Sequence, residues 1–547
     1  MKIIPILAAL SLSALLSACG DGGGSASQTR QPTTPNPPPV APDGNQWQFG
    51  VFPDESEFKD KCEIVRTMPD INGEAYPDTR GTSFDEKMWL RSWSNNTYLW
   101  YDEITDRDPE DFETPLAYFD VLVTNERTMS GARKDNFHFA QPTEEFESFA
   151  ETGSSSGYGI NWAFIESAPP RNFTVSSIEA SSPNANSGVQ RGDKIVEINS
   201  IDFVESDIQS EIDSINEALF PSEDGIETLF TFERTDGSQY SVTLTSGTFI
   251  SSFVNNAKVI DTDVGRTGYV RFDGFQRTAQ APLINTFQYF VDENVTDLVL
   301  DLRYNGGGLV AMSAQLGYMI AGPNQTNNRV FELFQFNDQH PTIDPLTGDT
   351  IRPIPFFDRE IDWENGVFTN NTLPNLGLSK VYVITTEDTC SASESLINGL
   401  RGIDIEVVQI GGTTCGKPFG FEPTDNCGTT YFTIQFQGVN DKGFGEFSDG
   451  FKVSDNPRFD DELPGCRAND DFKQLLGNEN EAMLATALHH INNRTCPVFS
   501  SQTTTAFASK KVSEKRPDVS IYDARYRSFL LENSIYIDVK EPSEQER

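Results

Sequence analysis

The stretch VTDLVLDLRYNGGG, residues 295–308, constrains this chain more than any other. Its apolar positions run together instead of alternating, which suits a strand buried on both faces, and such strands belong to parallel sheets covered by helices. Three glycines then turn the chain into LVAMSAQLGYMI, which reads as a helix. The pattern repeats on both sides: TGYVRFDGF and a helix through APLINTFQYFVDEN come before it, and KVYVITT, a helix starting at Ser391 and IEVVQIGG come after. Strands alternating with helices predict an α/β layered core with largely parallel strands, over residues 251–499.

The flanking regions differ in texture. Residues 151–250 carry short β-rich runs, FTVSSIEA, DKIVEINSI, TLFTFERT and QYSVTLTS, separated by turn residues. Residues 56–150 mix acidic and aromatic positions at near-helical spacing, as in FDEKMWLRSWSNNTYLWYDEI, and predict a small helical region. The N-terminus, MKIIPILAALSLSALLSAC, joins one lysine to a short apolar run ending in small residues, the pattern of a secretory signal over residues 1–18. Its end, LSAC, resembles a bacterial lipobox, so Cys19 is the expected site of lipid attachment. Residues 19–55, rich in Gly, Ser, Thr and Pro, read as a disordered tether, and the polar tail 500–547 carries no functional signal.

Charge narrows the partners. Lysine and arginine total 41 against 82 for aspartate and glutamate, 41 − 82 = −41, which repels phosphate backbones and disfavours nucleic acid. Beyond Cys19 the cysteines are Cys62, Cys390, Cys415, Cys427, Cys466 and Cys496. An even number in an exported chain predicts disulfides, with fifteen connectivities open, and without a C-x-x-C pair a structural zinc is not indicated.

Three stretches carry chemistry. In TCSASESLING, residues 389–399, Ser391 and Glu394 fit the S-x-x-E capping box of a helix start. The turn at Asn305 to Gly308 can aim amides at a ligand oxygen, as an oxyanion hole or a phosphate cradle, or it can be a plain turn; the Lys-Ser/Thr of a P-loop is missing. IGGTTCGKPFGF places Lys417 26 residues after Ser391, and a lysine serves as a base only where burial lowers its pKa. GSSSG around Ser155 matches the G-x-S-x-G elbow by letters, but its flanks lack the required strand and helix. The histidines, His138, His340, His489 and His490, sit in neither glycine-rich nor strand-end contexts, which disfavours a Ser-His-Asp triad.

The order SPNANSGVQRGDKIVEINSIDF resembles a PDZ domain, with a small-residue turn, a short helix and Gly-Asp before a strand. The resemblance implies a peptide-binding edge and a carboxylate loop at Gly157, Tyr158, Gly159 and Ile160. Together, DLRYNGGG, TCSASE and GGTTCGK behind a PDZ-like domain resemble the C-terminal processing peptidases, or tail-specific proteases, over roughly residues 83–450. That resemblance implies a crotonase-like α/β core with a β-rich PDZ domain and a helical N-terminal region. It also implies a serine endopeptidase with Ser391 as nucleophile, Lys417 as base and the Ala392 and Gly307 amides as oxyanion hole. No metal or organic cofactor is implied. Substrates would be envelope or extracellular proteins or peptides, and the anchor at Cys19 would hold the chain in the cell envelope, at an outer membrane. A non-catalytic module binding a hydrophobic ligand or peptide on the same fold is the alternative.

Two departures from the family pattern stand out. Phe421 occupies the place of the glutamine that orients the lysine in well-studied members, leaving Gln435 as a substitute. Cys390 and Cys415 flank the two key residues; they either pair as a clamp on both, or Cys415 closes a local loop with Cys427. A capping Ser391 would also turn its hydroxyl from Lys417, so Ser393 or water is expected to cap the helix.

Overall fold

The computed structural model describes residues 46–498 except 71–72, 129 and 222. The signal peptide, Cys19, the expected tether up to residue 45 and the tail lie outside the described residues. At the centre is a seven-stranded sheet in the order Val254–Thr262, Gly265–Phe272, Asp297–Asp301, Lys380–Thr385, Glu406–Gly411, Glu462–Arg467, Lys452–Ser454. The first pair is antiparallel and every later neighbour is parallel. The continuous apolar runs follow from this. In Asp297–Asp301, Leu298 and Leu300 join the core under helices Gln280–Asp292, Val310–Ala321 and Ala392–Gly402. Val299, pointing the other way, packs with Met483, Leu484 and Ala487 of helix Ala482–Asn493. A strand with helices on both faces has no polar side to show.

The PDZ region is an antiparallel sheet in the order Gln239–Thr245, Glu227–Glu233, Lys194–Ile198, Asn172–Ile178, Ile160–Glu166, with its own core of Phe173, Phe230, Phe232, Ile212 and Ile215. Strand Ile160–Glu166 stands at the sheet edge. Helix Gln209–Leu219, whose Ile212, Ile215 and Leu219 recur at helical spacing, supplies the helical element of this region. The short helix expected in SPNANSG is absent: residues 181–188 form turns and bends.

The N-terminal region holds one long helix, Ser83–Thr97, started by a Thr82–Asp85 capping box. Its Trp89 and Trp93 stack with centroids 5.1 Å apart and pack against Tyr431 of the core. This region is joined to the core. Its strand Phe139–Pro142 pairs with Thr429–Phe432, and a Cys62–Cys427 disulfide ties it to the core. Among the described residues no helix is long and apolar enough to cross a membrane.

Candidate active site

Two turns at the carboxyl ends of neighbouring parallel strands meet here. Strand Asp297–Asp301 leads into Asn305–Gly308, and strand Lys380–Thr385 leads into the Ser391 turn. The Asn305 carbonyl accepts the Cys390 amide at 3.0 Å and the Ser393 hydroxyl at 3.1 Å, while the Thr389 hydroxyl donates to the Leu302 carbonyl at 2.8 Å. These bonds hold the glycine turn against the serine turn.

Ser391 is the N-cap of helix Ala392–Gly402, fully buried, at φ 57° and ψ −114°. A serine outside the common backbone regions stores strain, which persists only where neighbours hold it. They do so through Glu394. This fully buried carboxylate accepts the Ser391 amide at 3.0 Å, closing the capping box. The same side chain accepts the Thr414 hydroxyl at 2.5 Å, the Gly416 amide at 2.9 Å and the Lys417 amide at 2.8 Å. One carboxylate therefore joins the backbone of Ser391 to the backbone of Lys417. Burial pushes its pKa up, opposed by these donors. The expectation that Ser393 or water caps the helix fails: the Ser391 side chain accepts the Glu394 amide in the capping box, and the Ser393 hydroxyl donates to the Asn305 carbonyl.

The disulfide alternatives resolve in favour of the clamp: Cys390 pairs with Cys415, Cα atoms 5.2 Å apart, and Cys427 pairs with Cys62. The third bridge is Cys466–Cys496. Cys390, Glu394 and Cys415 cluster closely enough to resemble a metal site, but both sulfurs are committed to the disulfide.

Lys417 is 1% exposed, with its ammonium 4.1 Å from the Phe421 ring centroid and 5.2 Å from that of Phe137. Burial drops its pKa to about 7, against the opposing pull of Asp135 and Glu394. Phe421, which stands where a glutamine was expected, thus forms part of the apolar wall. Gln435, the expected substitute, uses its carbonyl oxygen to accept the Glu422 amide at 2.7 Å. The residue missed in the sequence is Asp135, 4% exposed, which accepts the Tyr98 hydroxyl at 2.8 Å and the Phe137 amide at 2.7 Å. Nothing local in RKDNFHF marks it, since its effect on Lys417 arises from contact between distant parts of the chain.

Gly307 requires a correction. Its amide, expected as an oxyanion donor, is given to Asn305 Oδ1 at 2.8 Å. The next amide, of Gly308, donates to no protein group among the described residues, and Gly308 sits at φ 127° against Phe275. Ala392 opens its helix as expected, its carbonyl held by the Ser313 hydroxyl at 2.8 Å. His138 is occupied elsewhere, its ring nitrogens 3.0 Å from Thr433 Oγ1 and 2.9 Å from the Phe119 carbonyl. His340 lies 2.9 Å from Asn96 Oδ1. Ser155 is in strand Ser154–Gly157, not at an elbow.

Gly157, Tyr158, Gly159 and Ile160 come together at a second site, lining a cavity of about 560 Å³ with Trp162 and Leu219. The Tyr158 side chain turns into the PDZ core, its hydroxyl donating to the Ala218 carbonyl at 2.8 Å, so the loop faces the cavity with backbone. No lysine or arginine lines it among the described residues. The PDZ region meets the core through a buried charge network. Arg191 bonds Asp470 at 2.5 Å, Asp470 bonds Arg303 at 2.7 Å, and Arg303 bonds Asp301 at 2.8 Å and Glu481 at 2.9 Å.

A helix-covered parallel sheet carries a strained serine turn, a glycine turn and a buried lysine, and is joined to a PDZ-like sheet. Residues 266–425, which include Ser391 and Lys417, match the model of peptidase family S41. The chain is 26% identical to carboxyl-terminal-processing peptidase 3, chloroplastic, of Arabidopsis thaliana over 206 residues, 36% of this chain and 38% of that protein. The match thus spans about two-fifths of the curated relative. A crystal structure from Bacteroides fragilis described as a candidate S41 protease shares the fold, with a TM-score of 0.55 at 21% identity, covering 77% of this chain and 99% of that one. A peptide-bound PDZ domain of a carboxy-terminal protease from Vibrio cholerae also matches, at 17% identity and a TM-score of 0.15, over 18% of this chain and 99% of that domain.

Proposed function

We propose that the chain is a serine endopeptidase working by acyl transfer with a Ser391–Lys417 dyad. The observation that carries this reading is Lys417: a fully buried amine with its pKa brought down to about 7, on a loop joined through Glu394 to the strained Ser391 turn. A neutral lysine takes the serine proton as Ser391 Oγ bonds to the scissile carbonyl carbon, and the resulting ammonium returns it to the leaving amine. Water then attacks the acyl-enzyme, with Lys417 again taking the proton. The oxyanion is held by the Ala392 amide and a glycine amide of the 306–308 turn, Gly308 replacing Gly307 while the latter stays on Asn305.

The PDZ region recruits substrate tails as an added strand on Ile160–Glu166, with the terminal carboxylate on the amides of Gly157 to Ile160. The mature chain is tethered through Cys19 to a cell-envelope membrane, by the lipobox-like LSAC. The direct test is covalent labelling by a serine-directed phosphonate. Wild type should take one label, mapped to Ser391, and Ser391→Ala and Lys417→Ala should take none. A fully labelled Ser391→Ala protein would sink the assignment and favour a binding module. Loss of radiolabelled palmitate incorporation in Cys19→Ser tests the anchor.

A further inference from the structure

We propose that the Cys390–Cys415 disulfide is a positioning crosslink for this reaction, so that the peptidase is competent only when the pair is oxidised; the inference rests on the dyad reading above. The crosslink joins the residue immediately before Ser391 to the loop that carries Lys417 two residues later. Its sulfurs lie within the structure that holds both groups. The Cys390 amide is bonded to the Asn305 carbonyl and the Cys415 amide to the Thr389 carbonyl, both at 3.0 Å. Cys415 Sγ is 3.4 Å from Glu394 Oε2, the oxygen that accepts the Ser391 and Lys417 amides.

Glu394 holds the strained turn by hydrogen bonds alone, and each of these can open separately. The covalent bond limits how far the loops part when a hydrogen bond opens. Cys390 is buried and Cys415 half-buried, so a thiol reductant reaches the Cys415 sulfur first. A dithiol attacks that sulfur as thiolate, forms a mixed disulfide and releases Cys390 as thiolate, which takes a proton. The second thiol of the reagent then resolves the mixed disulfide, leaving two cysteine thiols and an oxidised, cyclic reagent. The new Cys415 S–H is placed to donate to Glu394 Oε2, in competition with the two amides that the oxygen holds. A chain of this design is inactive while its cysteines are reduced during synthesis and gains activity in an oxidising compartment.

The test uses the full chain and the phosphonate. Oxidised wild type should label at Ser391, and graded dithiothreitol, with disulfides mapped by mass spectrometry, should slow labelling at least tenfold in step with opening of Cys390–Cys415 and reversibly on reoxidation. Cys390→Ala/Cys415→Ala, with its fold checked by circular dichroism, should show a kcat at least tenfold down, a KM within twofold and no response to reductant at concentrations that leave Cys62–Cys427 and Cys466–Cys496 closed. Should that variant fail to fold, the wild-type titration decides: unchanged labelling after the bridge is opened overturns the proposal. A folded double variant within twofold of wild-type kcat also overturns it, leaving the dyad intact. An oxidised wild type with no label at Ser391 overturns the dyad reading, and the crosslink proposal with it.

Discussion

The proposed role of Lys417 comes with a stability cost. Its folded pKa, about 7, is below the ordinary lysine value, so protonation favours the unfolded chain. The cost is fully present below pH 7 and is relieved as pH rises from 7 toward the unfolded value near 10.5. Lys417→Met should therefore abolish activity yet raise stability, on the order of 1–3 kcal/mol at pH 7. The Tm gap to wild type should narrow toward pH 10, and a gap of fixed size would contradict the burial argument. For catalysis the neutral amine is the active form, so kcat/KM should rise through an apparent pKa near 7 to a plateau. Asp135 holds that pKa up, so Asp135→Asn should move the profile to lower pH, read from pH–rate curves of both proteins. A shift to higher pH would show that Asp135 acts otherwise.

At the level of elements, the active geometry depends on how two turns and one helix start are locked. Glu394→Gln keeps size but turns an amide N–H₂ toward donors that need acceptors, so kcat should fall roughly 100-fold with little change in peptide affinity. A KM-dominated defect would contradict the positioning role. Gly308 sets the glycine turn. At φ 127°, with an added Cβ only 2.4 Å from the Phe275 carbonyl oxygen, Gly308→Ala should cost about 2–4 kcal/mol in thermal unfolding.

Across the whole molecule, the PDZ region, the core and the N-terminal region meet around this site. Arg191 reaches Asp470, and Asp470 reaches Arg303, two residues before Asn305. Removing one partner of a buried pair leaves an uncompensated charge. Arg191→Met should therefore destabilise by about 2–4 kcal/mol and speed amide exchange across Tyr304 to Gly308. Unchanged exchange there would mean that the PDZ region and the glycine turn are uncoupled. The Cys62–Cys427 bridge and the Phe139–Pro142 strand bring Asp135 and Phe137 to Lys417, so the N-terminal region contributes to the candidate site as well as packing against the core.

The core's strand and helix order, the PDZ sheet and the places of Ser391, Lys417 and the glycine turn were legible in the chain itself. Buried parallel strands, helix starts and glycine turns write themselves into local composition and period. The tertiary structure alone chose one cysteine pairing among fifteen, because pairing depends on which distant loops approach. It committed the Gly307 amide to Asn305, a matter of side-chain geometry within one turn. It also placed Asp135 beside a lysine far along the chain and made that lysine a candidate base. Depressed basicity comes from burial among Phe137, Phe421 and the packed core, and burial belongs to the folded molecule, not to any segment of it.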